Sequence, residues 1–279
     1  MSYSFEPGMI YRMPTHFGPG LGPRQGPEGC KYDNLDSPKN TSVKINFLTN
    51  RESLEKLLPP DFTVDGEPLV SVEFTYMKEI PWLAGRGYNI FGVTWPAIFN
   101  GTEKRYTGKL LSVLWENLAD PIITGREELG YNKIYCELPE PIVVPGQVRC
   151  LASWLGFQFA ELSAFNLKQL SPEEVKKETT RPSVGDGMFH YKYIPRSGEW
   201  GQPDVAYATI TPIVDTNTKV IEIWKGDGHL MFLKATWEEL PTLVNIVNTF
   251  AGLEIKEYRG VTLTKTVGAK DLSDVHIIR

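Results

Sequence analysis

Lys133 stands at the end of a stretch that runs Gly125-Arg126-Glu127 through Tyr131 to the lysine. A lysine amine can add to a carbonyl carbon and form an imine, but only when uncharged, and at its ordinary pKa of about 10.4 it is almost wholly ammonium at neutral pH. Burial among apolar groups disfavours the charged form, and a neighbouring cation adds repulsion. Tyr131, Ile134 and Tyr135 can supply the desolvation, whereas the carboxyl end of a preceding helix would stabilise the ammonium. Desolvation has to win for this amine to act. Taken alone, a lysine at a strand end reads as a solvated surface group, because buried lysines are rare.

Other chemistries find little support. His16, His190, His229 and His276 lack the spacing of metal ligands, so no metal is expected. Cys30, Cys136 and Cys150 show no C-x-x-C pattern and are odd in number, which points to reduced thiols rather than a disulfide framework. No G-x-S-x-G elbow occurs. Gly18, Gly20 and Gly22 imitate a phosphate loop, but no strand precedes them and Pro19 and Pro23 interrupt them. No cofactor is expected.

The elements that must position Lys133 are mostly strands. Val43, Ile45 and Phe47 alternate with polar neighbours, and Val70, Val72, Phe74 and Tyr76 alternate with Ser71, Glu73 and Thr75. Further strand-like runs fall at 87–99, 108–116, 133–138, 148–160, 187–194, 205–214, 219–224, 229–234 and 254–266. Asn50 caps a short helix from Arg51 to Leu58, Asp120-Pro121 starts one ending near Gly130, and Ser171-Pro172-Glu173-Glu174 starts another. Leu243 to Phe250 fits strand or helix. Phe91, Trp95 and Trp115 read as core.

The first 40 residues are rich in proline and glycine and form an arm or wrapping loop, followed by a single domain over 41–279. Hydrophobic residues make up 41% of the 279 and charged residues 23%, a folded-domain composition. A formal charge of −5 without a basic run argues against nucleic acid. No apolar stretch is long enough for a membrane span and no secretory signal pattern opens the chain, so a cytoplasmic protein is expected.

The segment from Trp115 to Lys133 resembles the central signature of the acetoacetate decarboxylase family, with Gly125, Arg126, Glu127, Tyr131 and Lys133 at the family's spacing. Leu54 to Pro59, Leu69-Val70 with Glu73, Phe99-Asn100-Gly101, Arg181-Pro182 and Trp224 to Phe232 extend the likeness in order over roughly 40–265. The resemblance implies an α+β, mainly β fold: a closed, cone-like antiparallel barrel with short flanking helices. It also implies a cofactor-independent carbon–carbon lyase in which Lys133 forms a Schiff base with a β-keto or 2-oxo acid, as acetoacetate decarboxylase, a standard example of an activated lysine, does. A homo-oligomer is implied as well.

On this reading Lys133 is catalytic, Glu73 assists proton transfer and Tyr131 walls the pocket. Arg126 and Glu127 are candidates for substrate binding, with a structural ion pair the favoured alternative because buried charges are normally paired. The chain departs from the family pattern in three places. The second lysine is replaced by Ile134, the acid near the substrate carboxylate by Ile90, and no arginine lies near Asn40, so that Arg12, Arg24 and Lys44 are the candidates to bind the carboxylate. A bulkier, less polar keto acid follows. The alternatives are a Schiff-base aldolase, dehydratase or metabolite-tailoring enzyme that releases no carbon dioxide, and a non-covalent small-molecule binding or cyclisation-templating protein.

Overall fold

A computed structural model describes residues 3–180, 184–214 and 217–279; Arg181-Pro182 of the resemblance lies outside them. Fourteen strands dominate: β1 Lys39–Leu48, β2 Phe62–Val64, β3 Leu69–Lys78, β4 Tyr88–Asn100, β5 Arg105–Glu116, β6 Lys133–Tyr135, β7 Ile142–Val144, β8 Gln147–Trp154, β9 Phe157–Gln169, β10 Gly187–Pro195, β11 Pro203–Pro212, β12 Lys219–Phe232, β13 Glu257–Val267 and β14 His276–Ile277. The helices are α1 Arg51–Glu55, α2 Ala119–Thr124, α3 Pro172–Thr179 and α4 Val244–Ala251. α3 carries the full Ser171/Glu174 capping box. No helix among the described residues is long and apolar enough to cross a membrane.

Hydrogen bonding joins the strands in the order β14-β11-β10-β5-β4-β3-β1-β13-β12-β9-β8-β7, with β2 on β4 and β6 on β5. Neighbours are antiparallel except β10 on β5 and β6 on β5. The fold is mainly β, as expected, while the ladder is an open path with β14 and β7 at its ends rather than a closed ring. The sheet nevertheless curls. Phe91 of β4 approaches Phe159 of β9 and Phe232 of β12, strands far away in the ladder, at 6.5 and 5.8 Å between ring centroids.

The inner face therefore encloses one aromatic core. Phe74, Phe91 and Trp115 stack in sequence at 4.1 and 4.8 Å, and Phe250 of α4 closes the end against Phe232 at 5.4 Å. All three stacked rings are fully buried, so truncating Phe91 to alanine would cost about 3–5 kcal/mol. The opposite face carries a smaller apolar cluster of Leu111, Leu114, Leu129 and Tyr131. Covered by the arm and the C-terminal segment, that second cluster holds the site.

Two strand expectations are corrected. The run at 148–160 is a hairpin, β8 and β9, because Leu155 and Gly156 both take positive φ (45° and 88°), the geometry of a two-residue type I′ turn. The runs at 219–224 and 229–234 are one strand, β12, which passes its glycines with register shifts at Val220/Glu222 and Lys225/Asp227. The segment left open, 243–250, is the helix α4. At α1 the Asn50 side chain makes no cap hydrogen bond; its amide donates to Glu254 instead.

Candidate active site

Lys133 begins β6, which pairs in parallel with the end of β5 and sets Lys133 against Leu114. The chain reaches it through α2 and a π-helical turn, Gly125–Leu129, that ends on Gly130 in the left-handed conformation (φ 83°). Two contacts fix the approach. The Tyr131 amide donates to the Gly125 carbonyl (3.1 Å), and Arg126 Nη1 donates to the Lys133 carbonyl (2.9 Å). Gly125 has no side chain for a steric reason: a Cβ there would sit 2.5 Å from Lys133 Cδ and Cε and 2.7 Å from Nζ. The glycine of the signature is the bed of the lysine's own stem.

The Lys133 side chain is about one-tenth exposed, and its Nζ lies 2.9 Å from Glu116 Oε1 and donates to the Pro121 carbonyl at 3.0 Å. Glu116 is 1% exposed, and its Oε2 has no hydrogen-bond partner. Burial pulls the Lys133 amine below the usual lysine range against the attraction of Glu116, with Arg24 adding repulsion. Burial likewise pushes the Glu116 carboxyl above the usual carboxylate range, against the pull of Lys133. Both shifts favour the uncharged forms, amine beside carboxylic acid. The pair titrates as a unit.

The pair faces a cavity of about 240 Å³, whose walls include Met77, Ile80, Tyr88, Ile90, Leu129 and Tyr131. The Tyr131 phenol is pushed up to about 12 by burial, so it stays neutral, and its ring lies 5.4 Å from Lys133 Nζ. Its hydroxyl shares Thr211 Oγ1 (2.8 Å) with His190 Nε2 (3.0 Å), and the two rings stack at 3.7 Å.

The arm supplies Arg24 to the cavity wall. Its Nε and Nη2 donate to Glu128 Oε2 at 2.9 and 2.5 Å, and Arg12 donates to the other oxygen of the same carboxylate. Two guanidiniums on one carboxylate leave positive charge in excess beside the cavity.

The structure thus brings Lys133, Tyr131 and Ile90 together and leaves three expected residues elsewhere. Glu73 lies on the same face of the sheet as Ile90, but its carboxylate is bound to Lys44, its register partner on β1, and to Thr75. Burial opposes the charge on Glu73, yet Lys44 and the hydroxyls of Thr75 and Ser42 outweigh it and hold the carboxyl below its usual range. It is not a wall of the Lys133 cavity. Arg126 and Glu127 are not walls either, and among the described residues no ion pair joins them. Arg126 is exposed on the opposite face and the Glu127 carbonyl accepts from Lys192 at 2.5 Å. Tyr135 is 46% exposed and Ile134 lies away from the cavity, so of the three expected groups Tyr131 lines it, together with Leu114 and Leu129. Glu116 was detectable only as an acid ending a strand that is apolar on both faces, Leu110 to Trp115. Nothing in the arm's sequence singled out Arg24 from Arg12.

Comparisons with known proteins bear on the family and the fold. The model of the acetoacetate decarboxylase family matches residues 12–269. No curated protein matches the chain at comparable significance. Among solved structures, acetoacetate decarboxylase from Legionella pneumophila is similar at a TM-score of 0.63 with 20% identity, covering 91% of this chain and 92% of that one. The enduracididine biosynthesis enzyme MppR, complexed with the condensation product of pyruvate and imidazole 4-carboxaldehyde, is similar at 0.60 with 16% identity, covering 90% and 93%. An acetoacetate decarboxylase-like enzyme from Sphingomonas wittichii RW1 is similar at 0.61 with 17% identity, covering 86% and 93%. At these identities the likeness is one of fold.

Proposed function

Because the chain belongs to the acetoacetate decarboxylase family, we propose that it is a cofactor-independent lyase in which Lys133 forms an imine with a keto acid and Glu116 serves as the acid. The observation that carries this reading is the buried Lys133–Glu116 pair beside the cavity, in which burial lowers the amine and raises the carboxyl against their mutual attraction. The amine adds to the keto carbon, and its proton passes to the former carbonyl oxygen. The proton of Glu116 then leaves with that hydroxyl as water, and the iminium forms against the Glu116 carboxylate. In a 3-oxo acid the bond to the carboxyl carbon breaks, carbon dioxide departs, and its electron pair enters the iminium to give an enamine. Protonation at carbon and addition of water release the ketone and restore the amine.

Arg24 is the group that would hold the substrate carboxylate, in the place left empty near Asn40. A cavity of about 240 Å³ offers the room of roughly eight waters and lies below the ~300–1,000 Å³ of drug-sized sites. Its walls at Ile90, Met77 and Ile80 are apolar, so the substrate is a compact keto acid with a short apolar substituent, not a long acyl chain. Those walls also suit a second reading, condensation of a 2-oxo acid with an aldehyde through the same iminium, which releases no carbon dioxide. Closure of the curled sheet into a barrel and assembly of like subunits belong to the same reading.

The test is reductive trapping. With a panel of short-chain 2-oxo and 3-oxo acids, borohydride should leave a mass adduct on the peptide carrying Lys133, and Lys133→Ala should leave none. An adduct on another lysine, or none across the panel, would remove the imine reading. Carbon dioxide release then separates the two reactions.

A further inference from the structure

Lys133 and Ile134 are consecutive residues of a strand and face opposite sides of the sheet. Behind the Lys133 cavity, on the Ile134 side, lies a groove of about 570 Å³. Its origin is topological. β10 pairs with β5 only from Gly187 to Phe189, and from Leu114 onward β5 pairs with β6 instead. The wedge between the diverging β10 and β6 is floored by Val113 and Ile134, walled by Tyr191, and roofed by Ile246 and Phe250 of α4.

One cation stands in this apolar groove. Arg126 is exposed, lines the groove, and among the described residues makes no ion pair; its only hydrogen bond runs from Nη1 to the Lys133 carbonyl (2.9 Å). The rest of its fork is free for a carboxylate, the anion whose planar geometry a guanidinium matches best. Trp95, fully buried beside the groove, also keeps its indole Nε1 without an acceptor. A concave, mostly apolar surface with a polar group that fixes a ligand's orientation is the ordinary form of a small-molecule site.

We propose that this groove is a second site, which takes a carboxylate bearing an aryl or branched apolar group and whose occupancy reaches Lys133 through Arg126. Binding stands independently of the imine reading; only the effect on Lys133 rests on it. A ligand on the free side of the fork pulls on the same guanidinium whose Nη1 holds the Lys133 carbonyl, and so acts on the strand that seats the amine from the far side.

The probe is 3-phenylpropanoate, titrated into the ¹⁵N-labelled full chain carrying Arg24→Gln, which removes the guanidinium of the other cavity. Saturable shifts are expected at the amides of Ile134, Tyr191 and Asn245. Adding Arg126→Gln should weaken binding by about tenfold or more, Arg126→Lys should restore part of it, and the uncharged 3-phenylpropanamide should bind at least about tenfold more weakly. Thr249→Trp, at an exposed α4 position that lines the groove, should block binding without disturbing the core. Affinity that survives Lys133→Ala supports the site even if trapping at Lys133 fails. Shifts confined to the Lys133 cavity, or an affinity indifferent to both Arg126→Gln and Thr249→Trp, would overturn the proposal. So would a dimer in sedimentation that Thr249→Trp dissociates, since the groove would then be an interface between two copies.

Discussion

At the scale of single residues, the Lys133–Glu116 pair sets the expected pH behaviour. Imine formation needs the amine uncharged and the acid protonated. That form has lost one proton from the fully protonated pair, so the rate should rise and then fall with pH along two limbs that belong to the pair as a unit. Glu116→Gln removes the acid and the anion that favours the ammonium. In a pH–rate profile it should abolish the alkaline limb, leave a single limb that rises with pH at or above the wild-type acid limb, and reduce kcat by about 10²- to 10⁴-fold. An unchanged alkaline limb would show that another group supplies the proton. Lys133 was legible because its signature is local, with the glycine, tyrosine and amine on one short stretch of chain. Glu116 was not, since it meets Lys133 only through parallel pairing of β5 with β6, which no strand pattern announces. Alternation placed Glu73 on the polar face of β3 correctly but could not reveal that Lys44 would claim it.

At the scale of elements, the arm and the β8–β9 hairpin carry separate consequences. Arg24 belongs to no helix or strand, yet it lines the Lys133 cavity and is the proposed partner of the substrate carboxylate. Arg24→Gln should raise KM for a keto acid by about tenfold or more with a smaller change in kcat, the pattern of a lost ground-state contact. Steady-state kinetics checks it, and a loss confined to kcat would reassign the residue. The hairpin turn places Leu155, 74% exposed, at φ 45°, a conformation that costs a branched residue about 1–2 kcal/mol. Leu155→Asn makes an Asn-Gly turn and should stabilise the fold by about 1 kcal/mol in urea denaturation. This turn was hidden because its first residue is one the left-handed region normally rejects. The start of α3, by contrast, was plain from four consecutive residues, because a cap depends on nothing beyond its own turn.

At the scale of the whole molecule, the buried His190 links stability to pH. Its ring is pulled down to about 3 by burial and by the charge of Lys133, whereas in the unfolded chain it titrates near 6.5. The folded state thus refuses a proton that the unfolded state accepts, so stability is full above pH 6.5 and is lost as pH falls towards 3, by about 1.4 kcal/mol per pH unit. His190→Phe keeps the stack on Tyr131 and should flatten that slope in urea titrations between pH 7.5 and 4.5; equal slopes in both proteins would mean that the imidazole is protonated in the fold. The mainly β architecture was legible from alternation, but the order of the strands was not, since alternation says which face a residue takes and not which strand lies beside it. That order has a further consequence. The Phe74–Phe91–Trp115 stack and the Lys133 cavity lie on opposite sides of one sheet, so lineages of this fold are free to exchange Met77, Ile80 or Ile90 and explore new substrates without repacking the aromatic centre that keeps the chain folded.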